Sequence, residues 1–263
     1  MAYRQQPGLP LGRGRALVDE VTLVVAAVVA VTALFAGTLG GITGMSTGII
    51  ALPVLAFAFG VREAVPIITV AMLFNMTSRT IANRSHINYR VVFWYCLGAV
   101  PSAAIGGIVF ANAPAEILAR GLGVFLLALV AWRHLPIARM NRMPLRGFVG
   151  VGLGQGFFSA IFGGAGPFGA HFFLSYGLTR NAFVGTVAVG TFLVNVTKST
   201  VYSRFSLLDV DLLIAAVAVG LVMAVGAYAG AFIVKRVSDN SFKIIVEAVM
   251  LLSGVILLIQ GAR

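Results

Sequence analysis

Charge is scarce in this chain. Asp, Glu, Lys and Arg make up 10% of its 263 residues, against roughly 25% in an ordinary soluble domain, so a soluble fold is excluded first. Carboxylates are the rarest of these, 8 against 19 Lys and Arg. There are 3 histidines and a single cysteine, Cys96. One cysteine cannot form an internal disulfide, and no His or Cys pair has metal-ligand spacing. No Walker-type Gly-x-x-x-x-Gly-Lys run occurs, and no serine sits in a nucleophile-elbow context. The chain therefore has no means of its own to hydrolyse ATP, no enzyme is expected, and neither a metal nor a cofactor is called for. The net charge of +11 raises nucleic acid as a partner, but the basic residues are scattered singly between apolar runs instead of forming one stripe, which excludes it.

What is abundant is apolar sequence, 59% of residues with a mean hydropathy of +0.99. The runs cover approximately 17–37, 42–60, 64–82, 90–112 and 116–133, then 147–162, 163–177, 181–201, 209–234 and 241–260. Between the two sets lies a basic connector with Arg133, Arg139, Arg142 and Arg146. About 20 apolar residues cross a bilayer as a helix. Eight runs meet that requirement, while 163–177 is short and 42–60 is interrupted by glycine. The expected fold is an all-α polytopic membrane protein of two related halves, with about eight transmembrane helices plus two short Gly-rich broken or re-entrant segments. The alternative is ten spans arranged as a 5+5 inverted repeat. The expected divisions are a cytoplasmic tail 1–16, a first repeat 17–135, the connector 136–146 and a second repeat 147–263. The first apolar run continues into a second, so it is expected to be retained and not removed as a signal peptide.

The halves share a module. Gly37–Gly60, GTLGGITGMSTGIIALPVLAFAFG, is echoed by Gly163–Gly177, GGAGPFGAHFFLSYG. Each is followed by an arginine and an alanine, Arg62 and Ala64 or Arg180 and Ala182, and then by the series Asn75, Thr77, Thr80, Arg84 or Asn195, Thr197, Thr200, Arg204. Glycine lets a helix break and a backbone approach a ligand. Such breaks, repeated in two halves, point to a transporter's binding site. The placement of Lys and Arg fits two arrangements. If the Gly-rich runs are re-entrant and both termini cytoplasmic, the repeats are parallel and Arg204 lies inside with Arg84. If all ten runs span, the repeats are inverted and Arg204 lies outside. The first is the preferred expectation, and both put the 83–90 loop and the connector on the cytoplasmic side.

The polar residues inside the runs point to an anion. Asn75, Ser78 and Arg79 stand at i, i+3 and i+4, on one helix face, and Asn195, Lys198 and Ser199 repeat that spacing with cation and hydroxyl exchanged. A charged side chain in a membrane helix is costly and generally faces a cavity or a partner. Arginine offers a planar fork of donors, lysine a compact charge, and Asn and Ser further donors. Breaks at Gly44, Gly48, Gly164 and Gly166 would add helix N-termini that attract anions. The bland alternative is that Arg79 and Lys198 snorkel to the headgroups. His171, inside the second module, is a candidate for contacting the substrate or carrying a proton, and Glu247, the carboxylate well inside the last run, for carrying a proton or partnering one of the buried cations. The alternatives for these two are a satisfied structural histidine and a polar contact between helices.

On the modules GGITGMSTGIIALPVL and FGGAGPFGAHFFL, the spacing to the Arg62 and Arg180 turns and the two-half layout, the chain resembles the TauE/SafE sulfite exporter family, also called the 4-toluene sulfonate uptake permeases. The resemblance covers nearly all of the chain after residue 20. It implies a multi-pass permease of the bacterial inner membrane that moves sulfite, sulfoacetate or other sulfonates. The sequence departs from the usual family pattern where Pro53 of the first module aligns with His171 in the second. The expected function is therefore a secondary transporter for small sulfur-containing anions, proton-coupled and alternating access between the repeats. A passive channel or the membrane subunit of a larger assembly is the alternative. The expected partners are the anion and the lipid bilayer, with a homo-oligomer left open.

Overall fold

The computed structural model describes residues 11–43, 47–134 and 143–233, with helical positions at 251 and 255. Among the described residues the fold is helical without strands. The helices are α1 (Leu11–Thr43), α2 (Thr47–Phe59), α3 (Val61–Ala82), α4 (Tyr89–Asn112), α5 (Ala115–His134), α6 (Phe148–Phe162), α7 (Gly166–Ser175), α8 (Arg180–Arg204) and α9 (Val210–Ile233). Their ends are written locally. Gly60, Gly163 and Gly177 take positive φ angles of 90°, 72° and 93°, which side chains with a Cβ resist; these glycines end α2 and α6 and precede α8. The Asn88 side chain accepts a hydrogen bond from the Val91 amide and caps α4, and Asp209 does the same for Leu212 before α9.

Six helices among the described residues are long and apolar enough to cross a membrane, fewer than the eight spans expected. Part of the difference is the last run, 241–260, most of which lies outside the described residues. The two Gly-rich runs behave as expected: at ~1.5 Å per residue, the 13 residues of α2 and 10 of α7 fall short of the ~30 Å hydrocarbon core. α1 reaches Thr43, past the expected end of its run at Gly37, because the glycines there pack against a neighbouring helix.

Those close contacts give the direction of each helix. A Cβ at Gly37 would lie 2.3 Å from the Met223 carbonyl oxygen, and one at Gly41 2.6 Å from that of Ala227. Four residues along α1 thus match four along α9, and the two run parallel with their backbones nearly touching, the small-residue packing of membrane helices. Gly98 against Val149 and Gly106 against Phe157 show the same for α4 and α6. α4 also runs parallel to α8, with the Asn88 amide bonded to Thr186 and Gly107 against Val201. α3 runs parallel to α9, with Asn75 bonded to Met223 and Ala71 against Gly220. α3 and α8 are antiparallel, since Asn83 at the end of α3 meets Gly185 at the start of α8.

The arrangement is therefore inverted. The first helix of each half packs on the fourth helix of the other, and α3 and α8 cross oppositely in the middle. The preferred expectation of parallel repeats is corrected. Counting charges could not see it, because the direction of α1 is decided by its pairing with α9. α1 and α3 point the same way, so α2 runs back between them, with Gly48 beside Met72. α7 runs back in the same manner beside α6, where Phe173 packs on Phe148.

One end of the bundle collects the 83–90 loop, residues 143–147 and the start of α8. The other collects the α2–α3 turn, the α4–α5 turn and the α8–α9 turn, the first two tied together where Arg62 donates to the carbonyls of Ala111 and Ala113, both at 3.1 Å. The 83–90 loop and the end of the connector thus share a side as expected. Arg204 falls at the opposite end from Arg84, and so does the start of α1.

Candidate functional site

Where α3 and α8 cross, the start of α2 meets the break between α6 and α7. A Cβ at Gly48, one residue into α2, would lie 3.7 Å from the Gly163 carbonyl oxygen in the break between α6 and α7. Around this meeting point is a cavity of about 30 Å³ lined by Thr47 and Gly48, by Met72, Met76 and Arg79 of α3, and by Tyr95 of α4. It is completed by Gln155 and Ser159 of α6, Gly163–Gly166, and Val187, Thr191, Val194 and Asn195 of α8.

The sequence places each wall by periodicity. Met72, Met76 and Arg79 follow at i, i+4 and i+7, and Thr191 and Asn195 at i and i+4. Arg79 is 3% exposed, with Nη1 3.5 Å from the sulfur of Met76. Two helices begin at the cavity: α2 at Thr47 and α7 at Gly166. The residue preceding α7, Ala165, gives no side-chain cap. Pro167 in its first turn has no N–H, so the N–H groups left for whatever occupies the space are those of Gly166 and the residues after the proline, and the positive end of the helix favours an anion. The walls also hold polar atoms with no hydrogen-bond partner: Thr47 Oγ1, Gln155 Oε1, and both amide atoms of Asn195. In most native structures such atoms are satisfied, and each exception calls for an explanation.

The structure brings together Gly48, Gly164, Gly166, Arg79 and Asn195 of the residues singled out from sequence, and separates the rest. Asn75 is buried but donates to the Met223 carbonyl at 3.3 Å, away from the cavity. Ser78 and Ser199 do not line it. Lys198 is fully buried, yet its Nζ donates to the carbonyl and hydroxyl oxygens of Ser159 at 3.3 and 3.1 Å. It sits one layer behind the wall. Ser159 and Ala160 carry two of the last carbonyls of α6, a helix that stops inside the protein. Lys198 satisfies one and the Tyr202 hydroxyl the other, as helix C-termini require. The expected pair of cations facing one anion is thus not what the geometry shows, and neither cation snorkels to an end. The cation stands at i+4 from its asparagine in α3 and at i+3 in α8; one residue is about 100° around a helix, enough to turn a wall residue into a brace.

Gly44 and Glu247 lie outside the described residues, and His171 falls in α7 with its side chain outside them. Thr47, Tyr95, Gln155, Ser159 and Thr191 were not found from sequence. A signal existed for two of these: Gln155 and Ser159 are the polar residues of the otherwise apolar α6, at i and i+4, and polar groups inside a membrane helix face the protein interior. Gln155 also explains Gly169, where a Cβ would lie 2.2 Å from Gln155 Oε1; the amide needs the bare backbone of α7 beside it.

No curated protein and no solved structure matches the chain. The family described as sulfite exporter TauE/SafE matches over residues 29–257, which take in every described residue of the cavity and both Gly-rich breaks, and this membrane protein belongs to that family.

Proposed function

We propose that the chain is a secondary transporter for a small sulfur-containing anion, sulfite or an organosulfonate, in the inner membrane, and that Arg79 and the free start of α7 bind it. The observation that carries this reading is a buried arginine lining a small cavity on which two helix N-termini converge. Arginine matches two oxyanion oxygens with its planar fork, and the helix N–H groups receive a third. We read the chain as a carrier that alternates access between the two halves. The inverted halves give that alternation a natural axis, since the α1–α2 and α6–α7 hairpins enter from opposite ends. Proton coupling belongs to the same proposal, with His171 and Glu247 as its carriers. The orientation rests on Lys and Arg: Arg84, Arg90, Arg146 and Arg180 gather at the end that also receives the basic connector with Arg139 and Arg142. That end is then cytoplasmic.

The test is uptake of labelled sulfite and sulfonates into proteoliposomes, with and without an imposed pH gradient. Saturable flux that Arg79→Ala abolishes in a folded protein is the expected result. Absence of flux for every anion in folded wild-type protein would refute the reading.

A further inference from the structure

The hydrogen-bond inventory of the cavity says more about the ligand than its charge does. Arg79 and the N-termini of α2 and α7 are donors, and any oxyanion answers them. Asn195 and Gln155 are different. Asn195 is fully buried and neither its Oδ1 nor its Nδ2 has a partner; Gln155 is 5% exposed and its Oε1 has none. Turning the asparagine amide over exchanges its two atoms and leaves one acceptor still unanswered. A ligand made only of acceptor oxygens takes the N–H groups of Asn195 and leaves its carbonyl oxygen unanswered, at a cost of about 1–3 kcal/mol, while Gln155 Oε1, lying against the Gly169 backbone, also stays without a donor.

From this inventory, and resting on the transport reading above, we infer that the species bound between Arg79, Asn195 and Gln155 is an oxyanion that carries its own O–H or N–H donor. For sulfite this selects the hydrogen-bearing monoanion; among sulfonates it selects those with an amine or hydroxyl next to the sulfonate. The cavity supports this from every described wall. Arg79 on α3 and Tyr95 on α4 are its titratable groups, and the described lining from α2, α6, α7 and α8 contributes neither carboxylate nor imidazole. A hydrogen on the substrate would itself carry a proton across with each anion.

Sulfamate and methanesulfonate test the inference, because they share size, shape and single charge and differ in an amino group against a methyl. Each is added as a competitor of labelled sulfite uptake by the full-length protein in proteoliposomes. Sulfamate should reach half-inhibition at a concentration about 3- to 10-fold lower, the scale of one net hydrogen bond. Asn195→Leu, or Gln155→Met should the first variant fold poorly, should bring the two competitors to within about twofold of each other. Sulfamate competing no better than methanesulfonate, including no competition by either, overturns the inference while saturable sulfite uptake keeps the transport reading. A wild-type protein that is folded, takes up no anion and is not thermally stabilised by sulfamate ends both.

Discussion

α3 and α8 carry the same polar pattern and place it differently. Each carries an asparagine, a cation one turn later and an arginine at its end, and they cross antiparallel at the centre of the molecule. In α3 the asparagine braces the neighbouring helix through the Met223 carbonyl and the cation, Arg79, faces the cavity. In α8 the asparagine faces the cavity and the cation, Lys198, braces the broken end of α6. The roles of amide and cation have been exchanged by moving the charge one residue. An inverted duplication places equivalent residues on both sides of one axis, and a single small ligand there needs one charge. The second cation is then available for another task, and a helix that ends inside the protein supplies it, because its carbonyls must be satisfied without water.

The sharpest way to break this comparison is to remove each cation in turn. Arg79→Ala should cost the largest effect, at least about 100-fold in flux per KM, the scale of losing a charge-assisted bidentate contact. Thermal unfolding of the same variant separates loss of binding from loss of fold. Arg79→Lys should restore part of the flux, since the charge returns without the fork. If Arg79→Ala is as active as the wild type, the contrast between the two helices has no functional content.

Lys198→Met should behave in the opposite way. The methionine keeps the length and apolar stem, so the loss is confined to the Ser159 carbonyl and hydroxyl, about 1–3 kcal/mol for a buried acceptor left alone. That cost is reduced by the relief of no longer burying an ammonium group. The expected outcome is a lowered thermal midpoint and a lower turnover with KM within about threefold of wild type. A large rise in KM instead would return Lys198 to the anion and restore the symmetrical pair. Gly98→Ala and Gly37→Ala compare the two equivalent crossings themselves. A Cβ would lie 2.1 Å from the Val149 carbonyl oxygen in one and 2.3 Å from that of Met223 in the other. Both should lower the yield of folded protein to a similar extent, by about 1–3 kcal/mol of overpacking, measured by thermal unfolding of purified protein.

These outcomes also mark how far the sequence could be read. The helices, the three glycines that end or precede them, and Arg79 with Asn195 are legible because they depend on spacing along the chain: a positive-φ glycine, a 3.6-residue period, an isolated charge in an apolar run. The pairing of α1 with α9 is not legible, since it rests on two small-residue faces about 190 residues apart in sequence that look like any other glycine-bearing span. The same gap hides the inversion and the place of Arg204. Lys198 is misread for a further reason. Its partner is a main-chain carbonyl, and the sequence carries no mark for a helix that stops within the protein except the glycine after Phe162. Gln155 was readable in principle, but one amide among apolar residues does not say which neighbour it faces.

The smallest expected effect is also the cleanest test of the inversion. In a Cys96→Ser background, Ser85→Cys lies in the exposed turn after α3 and Asn112→Cys at the exposed end of α4. Neither site touches the cavity, so transport should change by less than about twofold, and stability within the ±0.5 kcal/mol usual for surface positions. Labelling of intact cells with a membrane-impermeant thiol reagent should modify Cys at 112 and leave Cys at 85 unmodified until the membrane is opened. A third site, Ser203→Cys, decides between the two arrangements. It is itself the repeat's equivalent of Asn83, so parallel halves put it with position 85, whereas the antiparallel crossing of α3 and α8 puts it with position 112. Protection of 203 together with 85 would overturn the inverted fold, because no rotation of α8 about its own axis moves its end to the other face of the bilayer.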